Sequence, residues 1–516
     1  MRIALFLLLL SACASLPPSD LFGPVATDPT LLSTQTHRGL AHPPTAPTTE
    51  DPRVPADLQA LLDRQLGTVT ALVGEPLQPR TEDDAPPPTL GADAKPLVRF
   101  VHLTDTQLVD DESPARQCTF DTPAATSGAF RPQEGFGCQT LDAAVQAVNA
   151  LGAVDFVLTG GDNVDNAQRN EIRWFGQVMN GGTVECDSGG DDGDAPGLPF
   201  AQKRPFHAAG LQVPWYWVSG NHDVLVTGEM QVDADQRTIA TGTTALMGAR
   251  DYRQPGAPVT TGEVPADALR LPLYATELVA DVQAIADGPG PHLHGLASVA
   301  PTATHIQYRV TPVASAPLDV IVLDTNAHSG GSDGLIFADV FTNEVQPLLD
   351  AALAAKHWAV VVGHHPTSGI GDGGGAFGHT QTGTLTPAQF RAALSKYPNV
   401  LFYLAGHTHS NLITRFPPAP GDAVRPFFEV QTASLADWPS QLRLVEVLDG
   451  NNGFVAARLT MLDVPGQIAG LAPNDLVGQA LTLMTLDRAA GWNPKPGEGS
   501  AADRNVILWL KKPPGW

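Results

Sequence analysis

An α/β fold of layered sheets is predicted by three features of this 516-residue sequence. Short, mostly apolar runs recur from Leu97 onward, and each ends abruptly in a polar cluster. Stretches with helical apolar spacing separate the earlier runs, whereas the last runs follow one another without them. A continuous apolar run of strand length reads as a strand buried on both faces. Strand–helix alternation reads as a sheet covered by helices, and the final run of strands as a second sheet.

The amino-terminal element is an apolar run, Ile3 to Leu10, preceded by Arg2. It is too short to span a bilayer but suits the core of a signal peptide over residues 1–12. The run passes through Leu10-Ser11-Ala12 directly into Cys13, which resembles the bacterial lipobox. That resemblance implies cleavage before Cys13, lipidation of Cys13, and an exported protein anchored at the cell envelope (outer membrane and periplasm, or cell surface) through acyl chains alone. An ordinary secretory signal with an incidental cysteine is the alternative. Between Leu16 and Pro96 stand 15 prolines. Proline fixes φ and removes a backbone donor, so residues 13–95 are expected to form a tether. Within it, residues 56–73 carry helical spacing (Leu58, Leu61, Leu62, Leu66) and are expected to dock on the main domain.

The main domain is placed at residues 96–465. Its strands are read at Leu97–Leu103, Val154–Leu158, Val213–Val218, Leu318–Leu323, Trp358–Val362 and Val400–Leu404. Helical spacing appears at Leu141–Leu151 and Val345–Ala355, and the later strands at Phe427–Gln431, Leu442–Val447 and Phe454–Leu462. Residues 224–304 break this rhythm and read as an insertion or cap. Residues 466–516 read as a carboxy-terminal extension packed on the domain.

Composition narrows the function. There are 30 Lys and Arg against 54 Asp and Glu, a formal charge of −24. That balance excludes a protein that coats nucleic acid and opposes electrostatic docking on anionic lipid. With 43% hydrophobic residues the chain is not globally disordered. If Cys13 is lipidated, Cys118, Cys138 and Cys186 remain, enough for one disulfide in an exported compartment. Cys118–Cys138 closes a short loop and is the favoured pairing. No CxxC pair is present, which argues against a thiol-based metal site.

The polar clusters after the strands consist almost entirely of metal-ligand types. In an open α/β sheet the carboxyl ends of the strands line the binding crevice. Asp105, Asp162, Asn221, His364, His407 and His409 are therefore expected to converge. The ordered motifs Asp105-Thr106-Gln107, Gly161-Asp162-Asn163-Val164-Asp165, Gly220-Asn221-His222-Asp223, Gly363-His364-His365-Pro366 and Gly406-His407-Thr408-His409 resemble the calcineurin-like metallophosphoesterase superfamily. The resemblance covers roughly residues 97–465. It implies a four-layer α/β/β/α sandwich of two mixed sheets with an insertion, and two divalent ions (Mn, Fe, Zn or Mg) as cofactors.

By the same resemblance Asp162 bridges both ions. Asp105 and His409 hold the first ion; Asn221, His364 and His407 hold the second. His222 binds phosphate and protonates the leaving oxygen, with Asp165 as its partner. The implied reaction is hydrolysis of a small-molecule phosphoester by a bridging hydroxide. Two dications about 3.5–4 Å apart polarise the phosphoryl oxygen and acidify a bound water. Two carboxylates and a hydroxide leave that pocket net positive, and neutral His and Asn preserve the balance. An imidazole suits the proton transfer, and a carboxylate behind it fixes the tautomer and raises its pKa.

The first motif departs from the family: Gln107 stands where His is usual. Either its amide oxygen ligates, or the first site is weakened and shifted toward harder ions such as Mn²⁺ or Mg²⁺. Asp110, Asp111 and Glu112 read as a solvated acidic turn or as contacts behind the ligands. The glycine-rich stretch Gly369–Gly378 reads equally as a gate or a plain loop, and Asp187–Asp194 as a solvated loop. A protein Ser/Thr phosphatase is disfavoured because Asn166 replaces the expected Arg. A long 5′-nucleotidase is disfavoured because too little chain follows His409. A catalytically weak or inactive surface protein using the fold for binding is the competing class. Monoesterase and diesterase are not distinguished by the motifs.

Overall fold

The computed structural model describes residues 33–41, 49–123, 128–190, 200–418, 425–465, 475–493, 495 and 497–516. Cys13 and the signal segment lie outside these residues. Two mixed sheets dominate, of seven and six strands. The strands are β1 (Gln78–Thr81), β2 (Lys95–Leu103), β3 (Phe156–Thr159), β4 (Trp215–Tyr216), β5 (Tyr308–Val310), β6 (Leu318–Val322) and β7 (Trp358–Val362). They continue with β8 (Val400–Ala405), β9 (Leu412–Phe416), β10 (Phe427–Gln431), β11 (Gln441–Asp449), β12 (Phe454–Asp463) and β13 (Val506–Lys511). The first sheet runs β1-β13-β12-β11-β2-β3-β4 and the second β5-β6-β7-β8-β10-β9.

Side-chain alternation divides the molecule into layers. Val320, Val322, Val360 and Val362 of the second sheet share one core with Phe156, Leu158, Leu442 and Leu444 of the first. Their neighbours Ile321, Val361, Tyr403 and Ala405 face a separate cluster with Leu349, Phe390 and Leu394. Those last three come from α4 (Gln346–Ala354) and α5 (Pro387–Ser395). On the opposite side α1 (Pro55–Asp63), α2 (Gly137–Ala150), α3 (Arg169–Asn180) and α6 (Leu476–Ala490) supply Leu61, Leu141, Val145, Phe175, Leu481 and Met484 to the main core. The order is thus helices, sheet, sheet, helices, with each fully buried aliphatic side chain worth about 1.5–3 kcal/mol. Among the described residues, no helix is long and apolar enough to cross a membrane.

β2, β3 and β4 are mutually parallel, as are β6, β7 and β8. The loops that follow β2, β3, β4, β7 and β8 carry the five motifs, and they meet along one edge of the two sheets.

Three expectations are corrected. The proline-rich stretch is not a tether up to residue 95: His37–Ala41 pairs with Val69–Val73, α1 covers Pro55–Asp63, and β1 joins the first sheet beside β13. Proline is harmless at these places. Pro55 opens α1, where no intrahelical N–H is needed, and Pro79 sits in an edge strand. The disulfide joins Cys138 to Cys186, while Cys118 is a free, buried thiol that burial pushes up to about 12. Closeness in sequence did not decide the pairing: Cys138 sits in the first turn of α2 and bonds to Cys186, at a sequence separation of 48.

The acidic turn after β2 is not solvated. Asp110 accepts from Arg270 Nε at 3.0 Å and Ser188 Oγ at 2.7 Å. Lys203 Nζ lies 2.8 Å from Asp111 and 2.6 Å from Glu112. All these side chains are buried. Lys203 precedes β4, and Arg270 comes from the 224–304 segment, whose charges therefore lock it onto this turn.

Candidate metal centre

The loops that carry the site are held in unusual backbone conformations. Asp105, Gln107, Asp162, His407 and His409 all have positive φ, between 42° and 67°. That region is uncommon for residues with a Cβ and costs on the order of 1 kcal/mol or more each. The loops also approach one another closely. A Cβ on Gly161 would lie 2.6 Å from His364 Nδ1, and one on Gly406 would lie 2.4 Å from Asp105 Oδ2. The glycines before the motif carboxylate and histidine therefore admit the neighbouring ligand.

Backbone hydrogen bonds tie the loops together. Asp105 N–H donates to Gly161 O at 3.0 Å, and Gln107 N–H donates to Asp162 O at 2.8 Å. His222 N–H donates to Asp162 Oδ1 at 2.8 Å, and His407 N–H to Asp105 at 3.0 Å. Asp223 accepts from Gly220 N at 2.7 Å and Asn163 N at 3.0 Å, joining the loops after β3 and β4.

Of the side chains expected to converge, Asp105, Asp162, His364, His407 and His409 do so. His364 Nε2 lies 3.0 Å from Asp162 Oδ2 and 3.8 Å from Asp105 Oδ1. His409 Nε2 lies 3.3 Å from Asp105 Oδ1. Ligand atoms of Asp162, His364 and His407 all fall within 4.8 Å of one another. Gln107 Nε2 is 3.4 Å from Asp162 Oδ2, which places the amide at the same centre.

The donor set fits a cation. His364 Nδ1 meets Gly160 O at 2.8 Å, so it carries the proton and Nε2 presents a lone pair. His409 Nδ1 meets Asp437, which leaves its Nε2 free in the same way. Asn221 Nδ2 donates to Gly228 O at 2.9 Å. Three buried acceptors then have no hydrogen-bond partner: His364 Nε2, Asn221 Oδ1 and Gln107 Oε1. Orphaned acceptors in a dry site are costly, and a bound cation satisfies them at once. Burial opposes a charge on His364, yet Asp162 and Asp105 raise its pKa to about 9. The carboxylates thus call for positive charge, and a divalent ion would replace that proton. Burial together with His365 and His364 drives His407 well below the usual imidazole range, leaving its ring neutral.

His222 stands at the rim with its side chain 10% exposed. Its Nδ1 lies 3.0 Å from the backbone oxygen of Asp165 and 3.1 Å from Asp165 Oδ1, while Nε2 points toward Asp162 at 3.9 Å. Burial disfavours the imidazolium, but Asp162 and Asp165 outweigh it and raise the pKa to about 9. With Nδ1 held by Asp165, the Nε2 edge of His222 faces Asp162 and the centre.

Other histidines are set aside by their contacts. His365 is buried between Thr325 Oγ1 at 2.9 Å and Ser332 O at 3.0 Å, and burial lowers it to about 3. His379 is exposed.

Sequence reasoning missed the layer behind the ligands. Asp437, in the loop between β10 and β11, meets His409 Nδ1 and accepts from Arg131 Nε at 2.9 Å. Arg131 NH1 also lies 3.7 Å from Asp165, and Arg116 lies 3.8 Å from the same carboxylate. Arg131 thus links the carboxylate behind His409 to the carboxylate behind His222. No local pattern announced Asp437 or Arg131, since neither belongs to a strand-end motif.

A family model described as calcineurin-like phosphoesterase matches residues 98–411, more than half of the chain. A solved structure with similarity is the purple acid phosphatase PPD1 from yellow lupin (Lupinus luteus) seeds, 12% identical, with a TM-score of 0.29. The match covers 72% of this chain and 52% of that phosphatase, so the chain spans about half of its length. No curated protein matches the sequence. On the family match, which encloses all five motifs, the chain belongs to the calcineurin-like phosphoesterase family, whose members depend on metal.

Proposed function

We propose that this protein hydrolyses a small-molecule phosphoester at a dinuclear metal centre. The observation that carries the reading is the set of three buried, unpartnered acceptors beside two carboxylates and two further histidines. Asp105, Gln107 and His409 would hold one divalent ion, Asn221, His364 and His407 the other, and Asp162 would be shared. Such ions, when bound, polarise a phosphoryl oxygen and supply hydroxide at neutral pH. Gln107 would take part through Oε1, a neutral, hard ligand that would favour Mn²⁺ or Mg²⁺ over softer ions.

The chain's own residues do the rest. His222 carries its proton on the edge that faces the centre and delivers it to the departing oxygen. Asp165 fixes the ring with Nδ1 protonated, and Arg116 and Arg131 hold Asp165 in place. The reading includes export and anchoring through acyl chains on Cys13, supported by Leu10-Ser11-Ala12-Cys13. The Cys138–Cys186 bridge suits an oxidising compartment.

A screen of metal-reconstituted protein against p-nitrophenyl phosphate and bis(p-nitrophenyl) phosphate tests the reaction. Turnover that requires a divalent ion is expected. Absence of turnover with every ion tried, despite bound metal, would sink the proposal in favour of a binding protein. Mass spectrometry of the mature amino terminus, with Cys13→Ala as control, tests the anchor.

A further inference from the structure

A small polar cavity of about 20 Å³ adjoins the metal centre at Gln107. Thr106 and Gln107 line it from the loop after β2. Arg131, Gln133 and Glu134, which precede α2, and Thr140 within α2 complete its polar lining. All six side chains are buried. The surrounding backbone is fixed to the site: Leu435 N–H donates to Thr104 O and Ala436 N–H to Asp105 O, each at 3.1 Å.

Five polar atoms of these side chains have no hydrogen-bond partner: Thr106 Oγ1, Gln107 Oε1, Gln133 Oε1, Glu134 Oε1 and Thr140 Oγ1. Three of the side chains are anchored by their other polar atom. Gln133 Nε2 donates to Ala436 O at 2.9 Å. Glu134 Oε2 accepts from Arg116 NH2 at 2.7 Å and from Arg131 N–H at 2.9 Å. Gln107 Nε2 lies 3.4 Å from Asp162 Oδ2. A dry cavity lined in this way would leave every free atom uncompensated.

Charge and size select the occupant. Three of the free atoms are pure acceptors and two are hydroxyls, which excludes an anion. The neighbouring guanidinium groups oppose a cation: Arg131 lines the cavity, and Glu134 already pairs with Arg116 at 2.7 Å and lies 3.8 Å from Arg250. A neutral molecule that both donates and accepts meets the demand, and the volume suits a single water.

We propose that this cavity binds one structural water, which ties Gln107 to Gln133, Glu134 and Thr140 and so holds its amide for the first ion. This deepens the proposed function and rests on it. Ligation through Oε1 turns Nε2 away from the ion, and a buried N–H then needs an acceptor. The water supplies that acceptor and donates its two protons to the oxygens of Gln133 and Glu134. Thr140 Oγ1 makes no hydrogen bond within the protein, so its hydroxyl acts on Gln107 only through the water.

Crystals of the metal-free protein, grown with and without rubidium, test the occupant. A peak about 2.6–3.2 Å from most of the free atoms, with no anomalous signal from rubidium, is expected. An unfilled cavity would overturn the assignment, and so would a rubidium peak, which would make it an alkali-cation site. Chelator competition tests the coupling. Thr140→Val removes one bond of the water at nearly constant shape and should weaken the first divalent ion about 3–10-fold. Thr140→Ser should restore the affinity, and the loss should vanish in a Gln107→Leu background. A dry cavity predicts the opposite sign, because deleting an orphaned hydroxyl would leave metal affinity unchanged and the thermal midpoint of the metal-free protein unchanged or higher. That result in Thr140→Val would overturn the proposal. If the water is present and metal binds, yet no ester is cleaved, the water site stands and the hydrolytic reading falls.

Discussion

Replacing Asp437 by Asn removes one charge from the layer behind the ligands and leaves its shape almost intact. Asp437 meets His409 Nδ1, and it accepts from Arg131 Nε at 2.9 Å and Gln133 Nε2 at 3.5 Å. Burial would raise its pKa, but Arg131 and His409 overcome this and hold it well below the usual carboxylate range. An amide in its place offers one acceptor oxygen, and its NH2 must face either His409 or Arg131, both of which are donors. His409 Nε2 becomes less basic and its ring less firmly aimed at Asp105. Outer partners of this kind are worth 10–100-fold in metal affinity, about 1.4–2.7 kcal/mol. Breaking a buried pair costs folding stability as well, typically about 3–5 kcal/mol. Arg131 keeps Asp165 at 3.7 Å, so the lower end of that range is expected. Chelator competition gives the metal affinity, and urea unfolding of the metal-free protein gives the stability. The decisive comparison repeats Asp437→Asn in a His409→Ala background. If Asp437 acts through His409, the further loss of affinity there is under about twofold. Wild-type affinity in the single variant, or an undiminished loss in the double variant, would refute the coupling.

Four further outcomes are expected. His222→Ala should lower kcat about 10²–10⁴-fold with metal content unchanged by elemental analysis, since its side chain faces the centre without belonging to the orphaned acceptor set. Gln107→His should shift metal preference toward softer ions, and identical occupancy and preference would show that Gln107 is not a ligand. Cys138→Ser should destabilise the oxidised protein by about 4 kcal/mol in chemical unfolding, because the bridge closes a loop with a sequence separation of 48; Cys118→Ser should leave disulfide content unchanged. His102 is buried against Thr432, and burial and Arg443 lower its pKa to about 3. The unfolded chain takes up a proton near pH 6.5 that the folded chain refuses. Its contribution to stability is thus present above about pH 6.5 and lost as pH falls toward 3, at up to about 1.4 kcal/mol per pH unit. Urea unfolding at pH 7 and pH 5 should show a shallower loss in His102→Gln.

The site was legible in the sequence wherever the constraint is local. A buried strand must be apolar, its carboxyl end must open into the crevice, and a ligand there must follow a residue that lets the next loop come close. Those demands fall on adjacent positions, so Gly161-Asp162, Gly220-Asn221-His222, Gly363-His364 and Gly406-His407 could be read directly. The prolines before residue 96 mislead because proline breaks an element only where its missing N–H is needed. Pro55 and Pro79 instead occupy places where a missing N–H costs nothing. The acidic run Asp110-Asp111-Glu112 misleads because its basic partners lie far away in the sequence. Arg270 lies 160 positions from Asp110, and Lys203 lies 92 from Asp111.

The parts that stayed hidden share one physical reason. Five site residues have positive φ, a strain on the order of several kcal/mol in total. Such strain persists only where the surroundings over-determine the loops. The contacts that do so are non-local: Asp437 on His409, Arg131 on Asp437 and Asp165, Asp223 on the Asn163 loop, and Gly497 on Asn411. A residue that stabilises a loop from another element has no periodicity or spacing to betray it, because its position along the chain is set by topology and not by the chemistry it serves. The residues that converge were therefore visible and their supports were not. It follows that variants of the supports should weaken metal binding and folding together, whereas His222, which hangs free of the strained loops' ligand set, should lose catalysis alone.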